Sequence, residues 1–369
     1  MDILADIALT MVPKCGPKHI SKLINLFGSA NNIFNTPRSI LIEQAGLDYN
    51  TANFIASKAS FASAENEIKF LRHNNINAIT QDDNRYPHRL AACDIYPHLI
   101  YTKGDTDLNS KHFVSVVGTR KITDYGIRMC ENIVGEIAEL VPDAVIVSGL
   151  AFGTDITAHK AALRAGIKTV SVMGRNLQSI YPAAHTNWAN NIVAQGGMLI
   201  SEYNSTQSPD KSSFIQRNRI IAGICDALIV VESAASGGSM STARAADQMN
   251  RDIFAVPGRV GDKYSEGTNA IIANQMGRIA RSGQDVVSAM LWEAGDIAHP
   301  KQQNIFNSMI ETLDPMSQKV YQHISYDPTH VDFLSNICKV EQSELASILF
   351  ELQLNGIIRA LSGNRFTRI

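Results

Sequence analysis

Residues 113–120 (FVSVVGTR) and 144–155 (AVIVSGLAFGTD) share one pattern, in which a short apolar run leads directly into a glycine-containing loop. Further apolar runs follow, and amphipathic stretches such as 125–140 and 156–165 lie between them. The predicted strands are 113–117, 144–147, 169–172, 198–200, 227–231 and 253–256. Nearly all-apolar strands that alternate with helices indicate a parallel sheet covered on both faces. Residues 106–295 are therefore predicted to form an extended Rossmann-like, doubly wound α/β core.

The segments that flank this core have different patterns. Residues 1–60 predict short helices joined by tight turns, as in a SAM or helix-hairpin-helix domain. Only Lys14, Lys18 and Lys22 supply positive charge near the first turn, so a helical interaction domain is favoured over a DNA-backbone contact. Residues 61–105 are predicted to connect this domain to the core, and residues 296–310 form a polar linker.

Residues 311–369 predict three helices followed by a small hairpin, which is the pattern of a winged helix. From position 308 to the last residue there are five Lys or Arg and seven Asp or Glu. The predicted recognition helix carries Glu341, Glu344 and Glu351 and no basic residue. Because DNA phosphates would repel this helix, contact with another protein is the favoured use of this domain.

Composition narrows the functional class. The 369-residue chain has a formal net charge of −2, so any binding of nucleic acid must use a local patch. Its five cysteines form no C-x-x-C pair, which argues against disulfides and a thiolate zinc site. The N-terminus lacks a basic signal-peptide region, and no apolar run reaches the length of a membrane span. A cytoplasmic protein without a membrane segment is expected.

The loops after the predicted strands carry the features that suit an anion. Gly118-Thr119-Arg120 combines a tight turn with a guanidinium group, and Gly149 and Gly153 lie at a strand–helix junction where backbone amides can face a phosphate. Neither loop has the G-x-G-x-x-G or Gly-Lys-Ser/Thr pattern, so ordinary NAD binding and P-loop hydrolysis are not supported.

A second set of features lies further along the chain. Lys211 precedes Phe214 by three residues, which pairs a phosphate contact with a platform for a base, although a core position for Phe214 is the commoner outcome. Arg217 and Arg219 point in different directions on a helix, so at most one needs to face a ligand. Residues 236–239 (SGGS) open another helix. Two such turns on one edge of the sheet could hold successive phosphates of a nucleic-acid strand.

Other polar residues favour structural roles. Asp155 and His159 lie four residues apart on one helix face, but no third ligand or nucleophile is evident. A structural hydrogen bond is therefore favoured over a metal or acid–base pair. Tyr181-Pro182 and His185 are interpreted as loop geometry.

Taken in order, these motifs resemble the DprA/Smf (DNA-processing protein A) family over about residues 86–290. The resemblance rests on residues 116–120 (VVGTR), 148–155 with His159, 181–182 (YP), 201–202 (SE), Phe214 with 217–219 (RNR), 236–239 with 242–243 (TA), 257–258 (PG) and 267–269 (GTN). It implies binding of single-stranded DNA without sequence preference, homodimerisation, and loading of the RecA recombinase during natural transformation. It implies no catalytic activity, cofactor or metal.

The resemblance also assigns site residues. Arg120, Lys211 and Phe214 match family residues that hold the strand, and the 217–219 segment and both glycine loops match the walls of the same pocket. The predicted DNA-binding set is Gly118, Thr119, Arg120, Gly149, Ala151, Gly153, Thr154, Lys211, Phe214, Arg217, Asn218, Arg219, Gly237, Gly238 and Ser239. Phe152, Thr154 and Ile215 depart from the common family form.

Two alternatives remain open. The first is a nucleotide-processing enzyme similar to the lysine-decarboxylase-like phosphoribohydrolases, which also have a Gly-Gly loop that opens a helix. That family carries a catalytic glutamate in P-G-G-x-G-T-x-x-E, and residues 236–245 (SGGSMSTARA) lack it. The second is a scaffold that uses its terminal domains to bind partners, which the clustered loops do not favour on its own.

Overall fold

The computed structural model describes residues 3–207, 211–292, 313–325, 328–354, 357–361 and 363–368. The chain forms two compact units, Met1–Gly295 and Asp296–Ile369. The predicted linker at 296–310 lies outside the described residues. The further division of the first unit into domains at residues 60 and 105 stays a prediction.

The first unit is built around one nine-stranded sheet in the order β1-β2-β6-β5-β4-β3-β7-β8-β9. Its strands are β1 Asn77–Thr80, β2 Leu99–Gly104, β3 Phe113–Val117, β4 Val145–Ser148, β5 Thr169–Val172, β6 Met198–Ser201, β7 Ala227–Val230, β8 Asp252–Ala255 and β9 Arg278–Ile279. All six predicted strands are present, with bounds that agree to within one residue. Strands β3 to β9 pair in parallel. The predicted α/β fold class is confirmed.

The sheet is mixed rather than wholly parallel, because β1 pairs antiparallel with β2 and β2 pairs antiparallel with β6. Both added strands come from the segment that was predicted only to connect two domains. They were missed because β1 has only four residues and β2 lies among prolines and other turn residues. At the end of β2, Gly104 has a φ of +123°, and a Cβ there would lie 2.1 Å from the Gly197 carbonyl oxygen. Only glycine fits this close approach of two strands.

Helices cover both faces of the sheet. Those of the first unit are α1 Ile3–Thr10, α2 Pro17–Phe27, α3 Ala30–Asn35, α4 Arg38–Ala45, α5 Tyr49–Ala56, α6 Phe61–His73, α7 His88–Ala91, α8 Asp124–Leu140, α9 Thr154–Arg164, α10 Thr186–Ala194, α11 Lys211–Gly223, α12 Gly238–Gln248, α13 Glu266–Ala273 and α14 Gly283–Ala289. A short 3₁₀ turn at Ala183–His185 precedes α10. The helix α8 begins with the side chain of Thr123 accepting a hydrogen bond from the Gly126 amide, which is an ordinary N-cap.

The N-terminal helices pack directly against the sheet. One apolar cluster runs from Ala5 on α1 to Leu199 on β6. The buried His98 Nε2 lies 2.8 Å from Asp6 Oδ1, which ties α1 to the start of β2. The buried Glu67 on α6 accepts hydrogen bonds from the Ser205 amide and hydroxyl in the loop after β6. These helices therefore share a core with the sheet and also support one of its loops.

The second unit has the elements of a winged helix. They are α15 Pro315–His323, β10 Thr329–His330, α16 Val331–Cys338, α17 Gln342–Leu354, β11 Ile358–Leu361 and β12 Arg365–Arg368, with strand order β10-β12-β11. Its core includes Val320, Leu334, Leu345 and Leu349. The three predicted helices and the hairpin are all present.

All five cysteines are free and buried, in agreement with the expected absence of disulfides. Among the described residues, no helix is both long and apolar enough to cross a bilayer.

Replacement of Gly104 by alanine should destabilise the first unit. The added methyl group would meet the Gly197 carbonyl in a backbone conformation that alanine rarely adopts, so a loss of more than about 1 kcal/mol is expected. The measurement is urea unfolding. Gly135→Ala is the matched control, because nothing lies within 4 Å of the added atom within α8, and it should leave stability unchanged or slightly raised. Equal unfolding midpoints for Gly104→Ala and the wild type would contradict this explanation of the glycine.

Candidate functional site

The strand order of the sheet reverses at one point. From β3, successive strands lead outward to β6 on one side, whereas β7 to β9 extend on the other. Ligands of open parallel sheets bind outside the carboxyl ends of the strands at such a switch point. A cleft of about 110 Å³ lies at this position, between the loops after β3 and β4 and the helices α11 and α12. It is lined by Val117, Gly118, Arg120, Ala151, Asp155, Phe214, Ile215, Arg217, Asn218, Ile221, Gly238, Ser239 and Thr242.

The loops after β3, β4 and β7 are tied together by backbone hydrogen bonds. The Thr119 amide donates to the Glu232 carbonyl at 2.7 Å, and the Thr119 carbonyl accepts from the Thr154 amide at 3.1 Å. The Glu232 carboxylate also accepts from the amide and hydroxyl of Thr123. The rim is therefore held in place by contacts within the protein.

Arg120 is an exposed cation of this rim. Its side chain is exposed to solvent and lies in the loop after β3. The neighbouring Gly118 could not carry a side chain, because a Cβ would lie 2.3 Å from Thr154 Oγ1. A guanidinium group on a tightly packed loop can donate hydrogen bonds to a phosphate.

Arg217 has a different environment from Arg120. It is only 4% exposed, and its Nη1 donates to the carbonyl oxygens of Gly149, at 2.9 Å, and Val172. These carbonyls lie just beyond β4 and at the end of β5. Burial lowers the pKa of the Arg217 guanidinium, and the nearby Asp155 carboxylate opposes this effect. The Arg217 side chain thus joins α11 to two strand ends beneath the cleft.

Asp155 and His159 are both buried in α9. Burial raises the pKa of the Asp155 carboxyl, while Arg217 lowers it. His159 Nδ1 shares a 2.7 Å hydrogen bond with Thr169 Oγ1, and burial together with Arg217 lowers the pKa of His159 to about 3. The structural hydrogen bond predicted for this pair involves Thr169. In the part of the chain that the structure describes, no group of three or more His, Cys, Asp or Glu could hold a metal ion.

Phe214 lies at the rim rather than in the core. It is half-buried, a Cβ on Gly174 would lie 2.5 Å from its Cδ1, and its ring centroid is 5.4 Å from that of Tyr181. Next to it, Ile215 is 61% exposed. Phe214 and Ile215 therefore form an apolar side of the cleft, which can contact a planar group.

The glycine-rich turn at the start of α12 forms the opposite wall. Gly237 is the N-cap and has extended backbone, and Gly237 and Gly238 are both exposed. Asn218 Nδ2 donates to the Gly238 carbonyl at 3.3 Å, and the hydroxyls of Ser239 and Ser233 lie 2.8 Å apart. This places the first turn of α12 beside Asn218 on α11, where its amides can face an anion.

The structure brings together eight of the predicted site residues, which are Gly118, Arg120, Ala151, Phe214, Arg217, Asn218, Gly238 and Ser239. Five others belong to the same loops but do not line the cleft; they are Thr119, Gly149, Gly153, Thr154 and Gly237. Arg219 lies elsewhere, because its guanidinium forms an ion pair with the buried Glu202. Lys211 is the first residue of α11, and its side chain lies outside the described residues.

Sequence reasoning did not select Glu232 or Asp155 for the site. Glu232 directly follows an apolar strand, but its partner Thr123 lies 109 positions earlier in the chain. Asp155 was identified only as a polar residue on a helix face, whereas in the structure it lines the cleft and accepts from the Ala151 amide at 3.4 Å. The pairing of Glu232 with Thr123 is set by a tertiary contact and leaves no local signal.

The comparisons with known proteins agree with this geometry. A family model described as DNA recombination-mediator protein A matches residues 77–291. The chain belongs to the DprA/Smf family. A second model, the DprA winged helix domain, matches residues 308–364, which confirms the winged-helix prediction.

Individual members of the family support the same assignment. Protein Smf of Escherichia coli is 29% identical over 88% of this chain and 86% of its own length. The DNA processing protein DprA of Streptococcus pneumoniae is 38% identical over 56% of this chain and 71% of its own length. The structure of the S. pneumoniae protein superimposes with a TM-score of 0.68 at 29% identity, and covers 77% of this chain and 97% of that one.

A solved DprA from Helicobacter pylori, described for its single-stranded DNA binding mode, has a TM-score of 0.53 at 30% identity. It covers 59% of this chain and 97% of that one.

Removal of Arg217 should destabilise the fold, whereas removal of Arg120 should not. Arg217→Ala leaves the Gly149 and Val172 carbonyls without their buried partner, and each buried polar group left unsatisfied costs about 1–3 kcal/mol. Arg120→Ala removes an exposed side chain and should change the free energy of unfolding by less than about 0.5 kcal/mol. Urea unfolding of both variants checks this. Equal effects of the two substitutions would contradict the buried role of Arg217.

His159 should make the folded protein less stable in mild acid. Its pKa is about 3 in the folded state and about 6.5 when unfolded, so between these values the unfolded state binds the extra proton. Stability contributed by this residue is therefore complete above pH 6.5 and falls as the pH decreases, by up to about 2 kcal/mol between pH 7 and 5. Urea unfolding of the wild type and His159→Asn at both pH values measures the difference. An identical pH dependence in the two proteins would rule out this contribution.

Proposed function

We propose that this protein binds single-stranded DNA in the cleft at the switch point of the sheet. One observation carries the proposal: the exposed Arg120, the half-buried Phe214 and the first turn of α12 line the same cleft. A guanidinium and helix-terminal amides suit phosphates, and an accessible aromatic ring suits a base. The H. pylori relative, described for its single-stranded DNA binding, supports the same ligand.

The ligand is a single strand rather than a duplex. A base can stack on Phe214 only where its face is free, as it is in an unpaired strand. The contacts offered to the strand are backbone amides, a guanidinium and an aromatic face, and none of these selects one base over another. We therefore expect binding without sequence preference and with strong dependence on salt.

The proposed site residues follow from this geometry. Arg120 would contact a phosphate, Phe214 would contact a base, and Gly238 and Ser239 would offer donors from the start of α12. Lys211 would add a second phosphate contact from the first turn of α11. Arg217 would act by holding the cleft in shape, and Arg219, paired with Glu202, would not contact the strand.

The proposed role is binding without catalysis. Asp155 and His159 are the polar pair closest to a catalytic arrangement. Asp155 lines the cleft, but His159 is fully buried and its Nδ1 shares a hydrogen bond with Thr169, so the imidazole is not presented to a ligand. The turn at the start of α12 lacks the glutamate of the phosphoribohydrolases. Release of a free base from a nucleoside monophosphate would overturn this part of the proposal.

The cellular role that we propose follows the family. A recombination mediator passes single-stranded DNA to a recombinase, so this protein would act in the cytoplasm as a homodimer, protect incoming DNA and load RecA during natural transformation. The name of the matched family, DNA recombination-mediator protein A, supports this role.

We propose that the winged helix contacts a protein rather than a duplex. Its helix α17 carries Glu344 and Glu351, and the side chains of Phe350 and Leu354 on the same helix are 68% and 76% exposed. Acidic groups are repelled by DNA phosphates, and exposed apolar groups gain no favourable contact with them, whereas both can be accommodated on a protein surface.

Arg120→Ala should weaken the binding of an oligothymidine of about twenty nucleotides by roughly tenfold or more, because a hydrogen bond to a charged group contributes about 1.5–3 kcal/mol. Loss of one phosphate contact should also reduce the slope of log K against log salt by about 0.7. Fluorescence polarisation at two or more salt concentrations measures both quantities. The control is Arg72→Ala, which removes an exposed arginine from α6. Wild-type affinity and salt slope in Arg120→Ala would refute the proposed site, as would preference of the wild type for duplex DNA.

A further inference from the structure

A row of aromatic side chains extends beyond the cleft along the carboxyl edge of the sheet. Phe214 follows β6, Tyr181 and His185 follow β5, and Phe152 follows β4. Tyr181 and Phe152 follow the adjacent strands β5 and β4, and Arg120 follows the next strand, β3. The loops therefore place the Tyr181 and Phe152 rings at neighbouring strand ends, beside the cleft that Phe214 and Arg120 line.

Ring contacts connect the members of this row in pairs. The ring centroids of Phe214 and Tyr181 are 5.4 Å apart, and those of Phe152 and His185 are 4.7 Å apart with planes inclined at 66°. His185 lies four residues after Tyr181 and belongs to the same loop. The row thus consists of two ring pairs, one from α11 and one from the loop after β4, which the loop 181–185 joins.

Two of these rings are presented to solvent. Phe152 is 50% exposed and Tyr181 is 49% exposed. Scattered apolar residues on a surface require no explanation. Two half-exposed aromatic rings on adjacent loops, beside a cleft that suits a polynucleotide, form a surface on which bases can stack.

The exposed rings are held by buried contacts. His185 is 7% exposed, and its Nδ1 shares a 2.8 Å hydrogen bond with the Leu150 carbonyl oxygen. Leu150 has a φ of +57°, a left-handed conformation that leucine rarely adopts. This turn of the chain lies two residues before Phe152. A ring that is fixed before the ligand arrives loses less conformational freedom on binding.

We propose that Phe152 and Tyr181 form a second base-stacking subsite that continues the path of the DNA strand from Phe214, at the rim of the cleft, to the loop after β4. The inference rests on the proposed function and deepens it, because it assigns the ligand as a strand that extends past the cleft. A single nucleotide would fill the cleft of about 110 Å³ alone. A longer strand would also lay its bases on Tyr181 and Phe152.

The test removes either the rings or the bases. The double variant Phe152→Ala/Tyr181→Ala is compared with the wild type on two probes: a thymidine 20-mer, and a 20-mer with an abasic backbone outside a single central thymidine. We expect the double variant to bind the full 20-mer about tenfold or more weakly, since each stacked base adds appreciably to affinity. It should bind the partly abasic 20-mer with wild-type affinity, because the bases that the rings would contact are absent.

Conservative variants and matched controls separate stacking from folding. Phe152→Tyr/Tyr181→Phe keeps both rings and should restore wild-type affinity for the 20-mer. Tyr49→Ala and Phe333→Ala remove rings of 59% and 53% exposure from α5 and α16, and should leave affinity unchanged. Thermal unfolding confirms that each variant is folded.

The outcomes distinguish this proposal from the function on which it rests. If the double variant binds the full 20-mer like the wild type while Arg120→Ala does not, the second subsite is wrong and the single-strand site remains. If the double variant loses affinity equally for the full and the partly abasic 20-mer, the rings do not act by stacking and the proposal is also overturned. If the wild type binds none of the probes, both proposals fail.

Discussion

The cleft depends on one buried guanidinium. Arg217 crosses from α11 to the carbonyls of Gly149 and Val172, where two parallel strands end. Strand ends leave backbone oxygens without partners inside the sheet, and a planar group with five donors can satisfy several of them at once. Gly149 permits this approach, because a Cβ would lie 2.1 Å from Arg217 Nη1. The same contact fixes the position of α11, so the residues that face the cleft from this helix, Phe214 and Asn218, have their places set by a side chain that is itself hidden from solvent.

Around this interaction the rim is assembled from loops that brace one another. The backbone of Thr119 forms hydrogen bonds to the loops after β4 and β7, and the Glu232 carboxylate accepts a hydrogen bond from Thr123 at the start of α8. Few of these bonds use groups that face the cleft. The protein thus separates support from recognition: buried polar residues set the shape, and exposed residues such as Arg120 are left to meet a ligand. Preorganised donors of this kind reduce the cost of ordering a site on binding.

The sequence was sufficient for the core of this fold because apolar strands and amphipathic helices alternate with clear periods. The strands 113–117 and 169–172 were located without error, whereas the edge strand β1 and its neighbour β2 were missed, because their patterns are weak and local sequence does not encode their antiparallel pairing. The site was predicted where glycine turns follow strands. Arg219 was included because the 217–219 segment resembles the pocket wall of the family. Residues two apart on a helix face different ways, and only the tertiary partner Glu202 shows where the charge of Arg219 is used. Tyr181 was interpreted as loop geometry, and its exposed ring became visible only with the structure.

The contact between Glu67 and Ser205 affects whether the N-terminal helices can be separated from the sheet. Asn176 donates to the carbonyls of Ser205 and Gln207, so that loop is held from both sides, by a helix of the N-terminal segment and by the core. A truncated protein that began at the first strand would lose the carboxylate anchor of this loop and would leave one apolar face of the sheet open to water. Removal of the N-terminal helices would therefore disturb both the loop after β6 and the apolar face of the sheet that these helices cover.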